Sequence, residues 1–225
     1  MNLTFLGHAG FLIESERGNI LIDPFMTGNP SCTLKPNDLP KIDYIIVTHT
    51  HGDHVGDTLD IAKKNSALII AMNEYAIYLN QRGIKAHGIN FGSFEFPFGK
   101  ARFVQASHSS SLIEKGQIIY TGNPFGVVLH LEKTIYHAGD TGLIGDFNLL
   151  KRYDIDYALM PCGGNFTMDV EDFLVATEMV GAKKYIPMHY NTFGLVDQSK
   201  YMDKLKKDNI IIMNPGEKIF LEVKK

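Results

Sequence analysis

Thr48-His49-Thr50-His51-Gly52-Asp53-His54 follows directly on the short β-branched run Tyr44-Ile45-Ile46-Val47. A run of that kind reads as a buried strand, so the donor-rich stretch begins where a strand ends. His49 and His51 are two apart, and in an extended chain residues i and i+2 project to the same side. Two imidazoles can therefore grip one ion from one edge. Gly52 is expected to permit a sharp reversal, after which Asp53 and His54 face a second position beside the first. Imidazole with carboxylate suits zinc and its first-row neighbours. The helical zinc-protease pattern, two histidines four apart with a glutamate between, is a different one. The ordinary alternative is a polar surface loop rich in histidine. Three of the chain's nine histidines fall within these six positions, beside an aspartate, and that favours metal.

One loop cannot close two sites, so further donors must come from elsewhere. His108 follows the predicted strand Arg102 to Val104, Asp140 follows Thr134 to His137, and His189 follows Lys184 to Met188. Each sits at the C-terminal end of a predicted strand, as the first cluster does. In layered α/β folds such ends converge on a shared edge, where sites are built.

The rest of the chain reads as strands and helices in turn. Leu3 to Leu6, Phe11 to Ile13 and Ile20 to Ile22 are expected strands, and 23–40, with four prolines, a surface loop. Helices are expected at Gly56 to Lys64 and Glu74 to Gln81, around a strand at Ala67 to Ala71. Ile84 to Ser107 reads as all strand, with turns at Gly88 and Gly99. A hairpin joins Gly126 to Leu131 with Thr134 to His137. Helices follow at Asp146 to Arg152, Asp169 to Val180 (capped by Thr167 or Asp169) and Gln198 to Lys207. Strands are expected at Asp156 to Met160, Ile210 to Met213 and Lys218 to Val223. Each half has several strands and then strand-helix units, which suggests two sheets face to face with helices outside. No linker divides the chain, so residues 1–225 are expected to form one domain.

The 225 residues are 44% hydrophobic and 21% charged, the mix of a folded protein with its own core. The formal net charge of −3 gives no positive field to gather nucleic acid. Two cysteines, Cys32 and Cys162, make no disulfide framework. With no signal peptide and no apolar run of membrane-spanning length, a cytoplasmic location is expected.

The order His49, His51, Asp53, His54, then His108, then Gly139-Asp140-Thr141, then His189 resembles the metallo-β-lactamase superfamily along the whole chain. Gly7-His8, Leu21-Ile22-Asp23-Pro24-Phe25, the stretch Gly163 to Met168 and the stretch Pro187 to Phe193 resemble its branch of metal-dependent hydrolases near the L-ascorbate 6-phosphate lactonase-like proteins. The resemblance implies a four-layer αβ/βα sandwich, with the site at one edge of two mixed sheets. Carried over, it implies that His49, His51 and His108 hold one ion, Asp53, His54 and His189 a second, and that Asp140 bridges them. The cofactors would be two divalent ions, zinc first, with manganese, nickel and iron also compatible.

Such a pair can lower the pKa of a shared water to supply a hydroxide, with Asp53 orienting it or taking its proton. The expected activity is hydrolysis of an ester, lactone, thioester or phosphodiester in a small molecule. The subgroup resemblance leans towards phosphodiester or phosphorylated lactone. The alternatives are a mononuclear iron oxygenase on the same fold and a non-catalytic metal-binding module. A homo-oligomer is compatible with the sequence.

Around the donors, Asp23 is read as a carboxylate for a ligand histidine's free N–H or as a turn cap before Pro24. His8 is read as a substrate contact or a packed histidine, and Asn165 and Thr167 as lining the pocket. His137 is expected on the opposite face from Asp140, His130 packed, His87 exposed, Cys162 buried and structural, and Ser109 to Ser111 a flexible loop.

Overall fold

The computed structural model describes residues 1–197 and 199–222. Seven strands form the first sheet: β1 (Asn2–Gly7), β2 (Gly10–Ser15), β3 (Gly18–Ile22), β4 (Tyr44–Val47), β5 (Leu68–Met72), β6 (Ala86–Ile89) and β15 (Lys218–Phe220), in the order β15-β1-β2-β3-β4-β5-β6. Six form the second: β7 (Gly92–Phe96), β8 (Gly99–Gln105), β11 (Phe125–His130), β12 (Thr134–His137), β13 (Tyr157–Pro161) and β14 (Lys184–Met188), in the order β14-β13-β12-β11-β8-β7. The remaining two, β9 (Ser111–Glu114) and β10 (Gln117–Tyr120), pair with each other in a separate two-stranded sheet.

Both sheets are mixed. β3 to β6 run parallel and β1 to β3 antiparallel. β12 to β14 run parallel and β7, β8, β11 and β12 antiparallel. Alternation along each strand sends one set of side chains inward. Phe5, Phe11, Ile22, Ile46 and Ile70 of the first sheet thereby meet Phe103, Val127, Leu129, Leu159 and Ile186 of the second in one buried layer.

The outward sets are covered by helices. On the first sheet, Leu21, Ile45 and Ile69 pack under α2 (Thr58–Asn65) and α3 (Asn73–Asn80), which contribute Ile61, Tyr75 and Leu79. On the second, Val128, Tyr136 and Met160 pack under a 3-10 helix (Gly145–Tyr153) and α4 (Val170–Val180). Val170, Phe173, Ala176 and Val180 lie on one face of α4 and are all buried, the period an amphipathic helix requires. The result is the four-layer αβ/βα sandwich.

Several local expectations are corrected. Gly88 lies inside β6, and the chain passes to the second sheet after Ile89. The helix α1 (Gly52–Val55) precedes α2, so Gly52 opens a helical turn; a Cβ there would meet nothing within 4 Å. The glycine the bend requires is Gly56, at φ +40°, where a Cβ would collide with the Pro24 carbonyl. Asp169, not Thr167, caps α4: its Oδ1 accepts from the Glu171 and Asp172 amides. Such a cap contributes about 1 kcal/mol.

Residues 210–213 form no strand: one backbone bridge, Ile210 to Tyr185, ties them to the second sheet, and Met213 packs into the core between the sheets. The helix near 200 is a 3-10 turn, Ser199–Leu205. Gln198 and Val223, the outer ends of two expected elements, lie outside the described residues. Among the described residues no helix is long and apolar enough to cross a membrane.

Candidate metal centre

The strands β1, β3, β4, β8, β12 and β14 all deliver their C-terminal ends to one edge of the sandwich. His8, Asp23, the stretch from His49 to His54, His108, Asp140 and His189 follow those six ends. Hydrogen bonds tie the loops together. The Phe125 amide donates to the Thr48 carbonyl, the Gly142 amide to the Ser107 carbonyl and the His189 amide to the His8 carbonyl.

His49 Nε2 lies 3.1 Å from His51 Nδ1, and His108 Nε2 lies 3.3 Å from the same atom. These three form one donor group. Asp53, His54 and His189 form a second, which His8 joins. Asp140 stands between them. Its Oδ2 is 2.9 Å from His189 Nε2, 3.3 Å from His54 Nε2, 3.7 Å from His108 Nε2 and 3.9 Å from His49 Nε2. All seven donors singled out in the sequence are thus brought together.

The surrounding hydrogen bonds fix which ring nitrogens face inward. Asp23, fully buried, accepts from the Thr48 amide at 2.8 Å and the Thr48 hydroxyl at 2.6 Å. His54 Nδ1 donates to the same carboxylate at 2.8 Å. The Thr48 hydroxyl, its proton committed to Asp23, can accept from His49 Nδ1 at 3.2 Å. Asp23 therefore holds the Nδ1 protons of two histidines, one directly and one through Thr48, and turns both Nε2 lone pairs inward. His51 is reversed: Ser109 Oγ contacts its Nε2 at 3.4 Å, leaving Nδ1 for the site. His8 donates from Nε2 to Asp53 Oδ2 at 3.1 Å, and its Nδ1 meets Thr192 Oγ1 at 2.9 Å.

These residues fit a metal. His54 Nε2, His189 Nε2 and Asp140 Oδ1 are buried without a hydrogen bond of ordinary geometry, the two nitrogens meeting only the other Asp140 oxygen as ion pairs. An orphaned buried polar atom is costly, and three at one point call for a ligand that takes lone pairs. The charges agree. Burial holds the His49, His51 and His108 rings below the ordinary histidine range, hence neutral, as metal donors must be. Burial pushes His8 down to about 4, even against its bond to Asp53. Burial acts to raise Asp140, but the charges of His54 and His189 outweigh it and hold the acid well below its usual range. His54 is the exception: burial is outweighed by Asp140 and Asp23, which hold its proton well above the usual range. A cation must displace that proton.

Backbone strain gathers at the same edge. Among the described residues eight non-glycine residues have positive φ, and His8, Asp23, Asn165, His189 and Asn191 are five of them. Such conformations concentrate at functional sites, where the fold over-determines them.

Other sequence expectations meet mixed outcomes. His137 is buried between the sheets, donating from Nε2 to the Ala9 carbonyl and accepting at Nδ1 from the Gly139 amide. Cys162 is fully buried, with its thiol pushed up by burial. His130 is half-buried and meets the edge of Tyr153. His87 is also half-buried rather than exposed, against Phe94 and Phe96. Ser110 and Ser111 are not a flexible loop: Ser110 is buried in a hydroxyl network with Thr50 and Thr121, and Ser111 opens β9. Asn165 lines the cavity beside the donors, but Thr167 does not, its hydroxyl being turned back to the Met168 carbonyl. Phe166, Phe193 and Leu195 line it too and were not singled out, although Phe166 and Phe193 lie within the quoted motifs.

Residues 18–190 match the model of the beta-lactamase superfamily domain. A metal-dependent hydrolase of Bacillus cereus is 46% identical over 228 residues, spanning 98% of this chain and all of that protein. Among solved structures, a metallo hydrolase of the archaeon Ignicoccus hospitalis is 33% identical, with a TM-score of 0.88 over 99% of both chains. An isothiocyanate hydrolase from Delia radicum gut bacteria, 21% identical, shares the fold with a TM-score of 0.77 over 99% of this chain and all of that one.

Proposed function

The chain belongs to the metallo-β-lactamase superfamily of metal-dependent hydrolases, and from that footing we propose that it works with two divalent ions on a small ester, lactone, thioester or phosphodiester. His49, His51 and His108 would hold the first ion, Asp53, His54 and His189 the second, and Asp140 would reach both. Zinc suits this donor set best, with manganese, nickel and iron as substitutes. Ions bound there supply an acidified water and polarise the oxygen under attack.

The protein's own groups do the rest. Asp23 keeps His49 and His54 in the tautomers that present Nε2. Asp53, held below its usual range by the His8 hydrogen bond and by His54 in spite of burial, stays ionised and faces the cavity. Besides reaching the second ion, its carboxylate would orient a water, while His8, anchored on Thr192, fixes its Oδ2. No serine or cysteine nucleophile is required, and Cys162, fully buried with its thiol raised by burial, could not act as one.

The observation that carries this reading is the convergence of four histidine Nε2 atoms within 4 Å of one buried carboxylate oxygen, two of them without a hydrogen bond of ordinary geometry. A mononuclear iron oxygenase using His49, His51 and His108 would leave Asp53, His54 and His189 without a task. The proposed setting is the cytoplasm.

The test is turnover of p-nitrophenyl phosphodiesters, lactones and thioesters by zinc-loaded protein, with His51→Ala as control. Turnover lost in the control is expected. Turnover that survives it would overturn the mechanism.

A further inference from the structure

The cavity that opens from the second donor group has a character of its own. It measures about 280 Å³ and runs from His8, Asp53 and His189 past Asn165 to Phe166, Phe193 and Leu195. That is just under the ~300–1,000 Å³ of typical ligand pockets, room for one ring and a short chain. Phe166, Phe193 and Leu195 are 59%, 50% and 69% exposed. Large apolar side chains left open singly need no explanation, but three around one concave mouth mark a binding surface. Phe193 is held in place, stacked on Phe25 with ring centres 6.1 Å apart and edge-on to His8 at 5.3 Å.

The charges of the wall are as informative. Among its described residues there is no lysine or arginine, and Asp53 is the one carboxylate. The adjoining groove, which shares Gly164, Asn165 and Val196, does contain Lys200. That ammonium, however, lies over the Tyr201 ring at 4.7 Å, and Asp169 and Glu171 line the same groove. A phosphate group carries about −1.5 to −2 charge near neutral pH and is recognised by arginine or lysine. Held in this cavity, away from the ions, it would face Asp53 with no counter-charge.

We propose that this cavity binds a neutral aryl or short alkyl group next to the scissile bond, so that the substrate is an uncharged ester, lactone or thioester rather than a phosphorylated one. The proposal rests on the hydrolase reading above and goes beyond it by fixing the substrate's polarity.

A matched series separates the two. S-methyl, S-butyl and S-(2-phenylethyl) thioacetate differ in apolar bulk but little in intrinsic reactivity, and S-(2-phosphoryloxyethyl) thioacetate adds the charge. With zinc-loaded protein, kcat/KM should rise about tenfold or more from methyl to phenylethyl, with the phosphorylated compound at or below methyl. Phe166→Ala and Phe193→Ala should each compress the phenylethyl-to-methyl ratio to below about threefold. Phe166 makes no ring contact of the kind Phe193 makes with His8, so its variant guards against a disturbed site.

Calorimetry with the stable probe N-(2-phenylethyl)acetamide provides a readout independent of turnover. Binding with a negative heat-capacity change, weakened in both variants, is expected. Binding without turnover of any thioester would leave the pocket standing and count against hydrolysis of this bond. Turnover with no gain from methyl to phenylethyl, or preference for the phosphorylated compound, would overturn the pocket, as would an absence of both binding and size preference.

Discussion

The two donor groups share one carboxylate, yet they sit in different surroundings. His49, His51 and His108 are backed by Ser109 and by the buried hydroxyls of Thr50, Ser110 and Thr121. Asp53, His54 and His189, with His8, open on a cavity walled by phenylalanine and leucine. On the reading proposed above, the first group holds its ion and the second also meets the substrate. Damage to the first should appear in metal retention, and damage on the cavity side in rate and selectivity.

The largest effect is expected where the groups meet. Asp140→Ala removes the atom within 4 Å of four histidine nitrogens. Losing a partner outside the metal's own ligands costs ~10–100-fold, so losing this residue should lower kcat/KM by more than about 100-fold and reduce bound metal as well. Elemental analysis beside a rate assay checks both. A variant that kept its metal and lost only rate would place Asp140 with the cavity side alone.

Asp23→Asn comes next. It keeps the shape but loses a lone-pair acceptor for His54 or Thr48, and so should weaken metal binding ~10–100-fold. Because Asp23 serves His49 and His54 together, competition with a chelator should show both ions weakened; one ion weakened alone would mean the groups are positioned independently.

A third effect is in pH. Without bound metal, burial pushes His8 down to about 4 and also holds His49 and His137 below the usual range near 6.5. The unfolded chain then binds more protons than the folded one between those values, so stability should fall as pH drops from about 6.5 towards 4. Urea midpoints across that range measure it, and a flat profile would contradict the burial of these rings. The smallest effect is expected at Cys162. Cys162→Ala should cost about 1 kcal/mol of stability and leave kcat/KM within about twofold, since the thiol is buried among core side chains.

Much of this was legible in the sequence because the decisive signals are local. The run Tyr44–Val47 was readable to the residue as a buried strand, and Lys184–Met188, apolar after its lysine, as a strand. The donors announce themselves by type and by their place after strand ends. What escaped depends on contacts distant in sequence. Gly52 and Gly56 look alike in a string; only the approach of Pro24 makes Gly56 the constrained one. The β9–β10 hairpin lacks the asparagine-glycine or aspartate-glycine turn that would advertise it, reversing instead through Lys115 and Gly116. Two readings of Asp23 were open until Thr48 and His54 were seen on one carboxylate. The cavity wall needed Phe166 and Phe193, 27 positions apart, to meet beside Asp53. On the proposal above, that wall, without a lysine or arginine among its described residues, argues against the lean towards phosphorylated substrates.

The claim on which the rest depends is that both donor groups bind metal at once. Stripped protein reloaded with zinc, freed of excess and analysed for metal per chain, should hold about two equivalents, falling to about one in His51→Ala. One equivalent or none in the unaltered protein would contradict it.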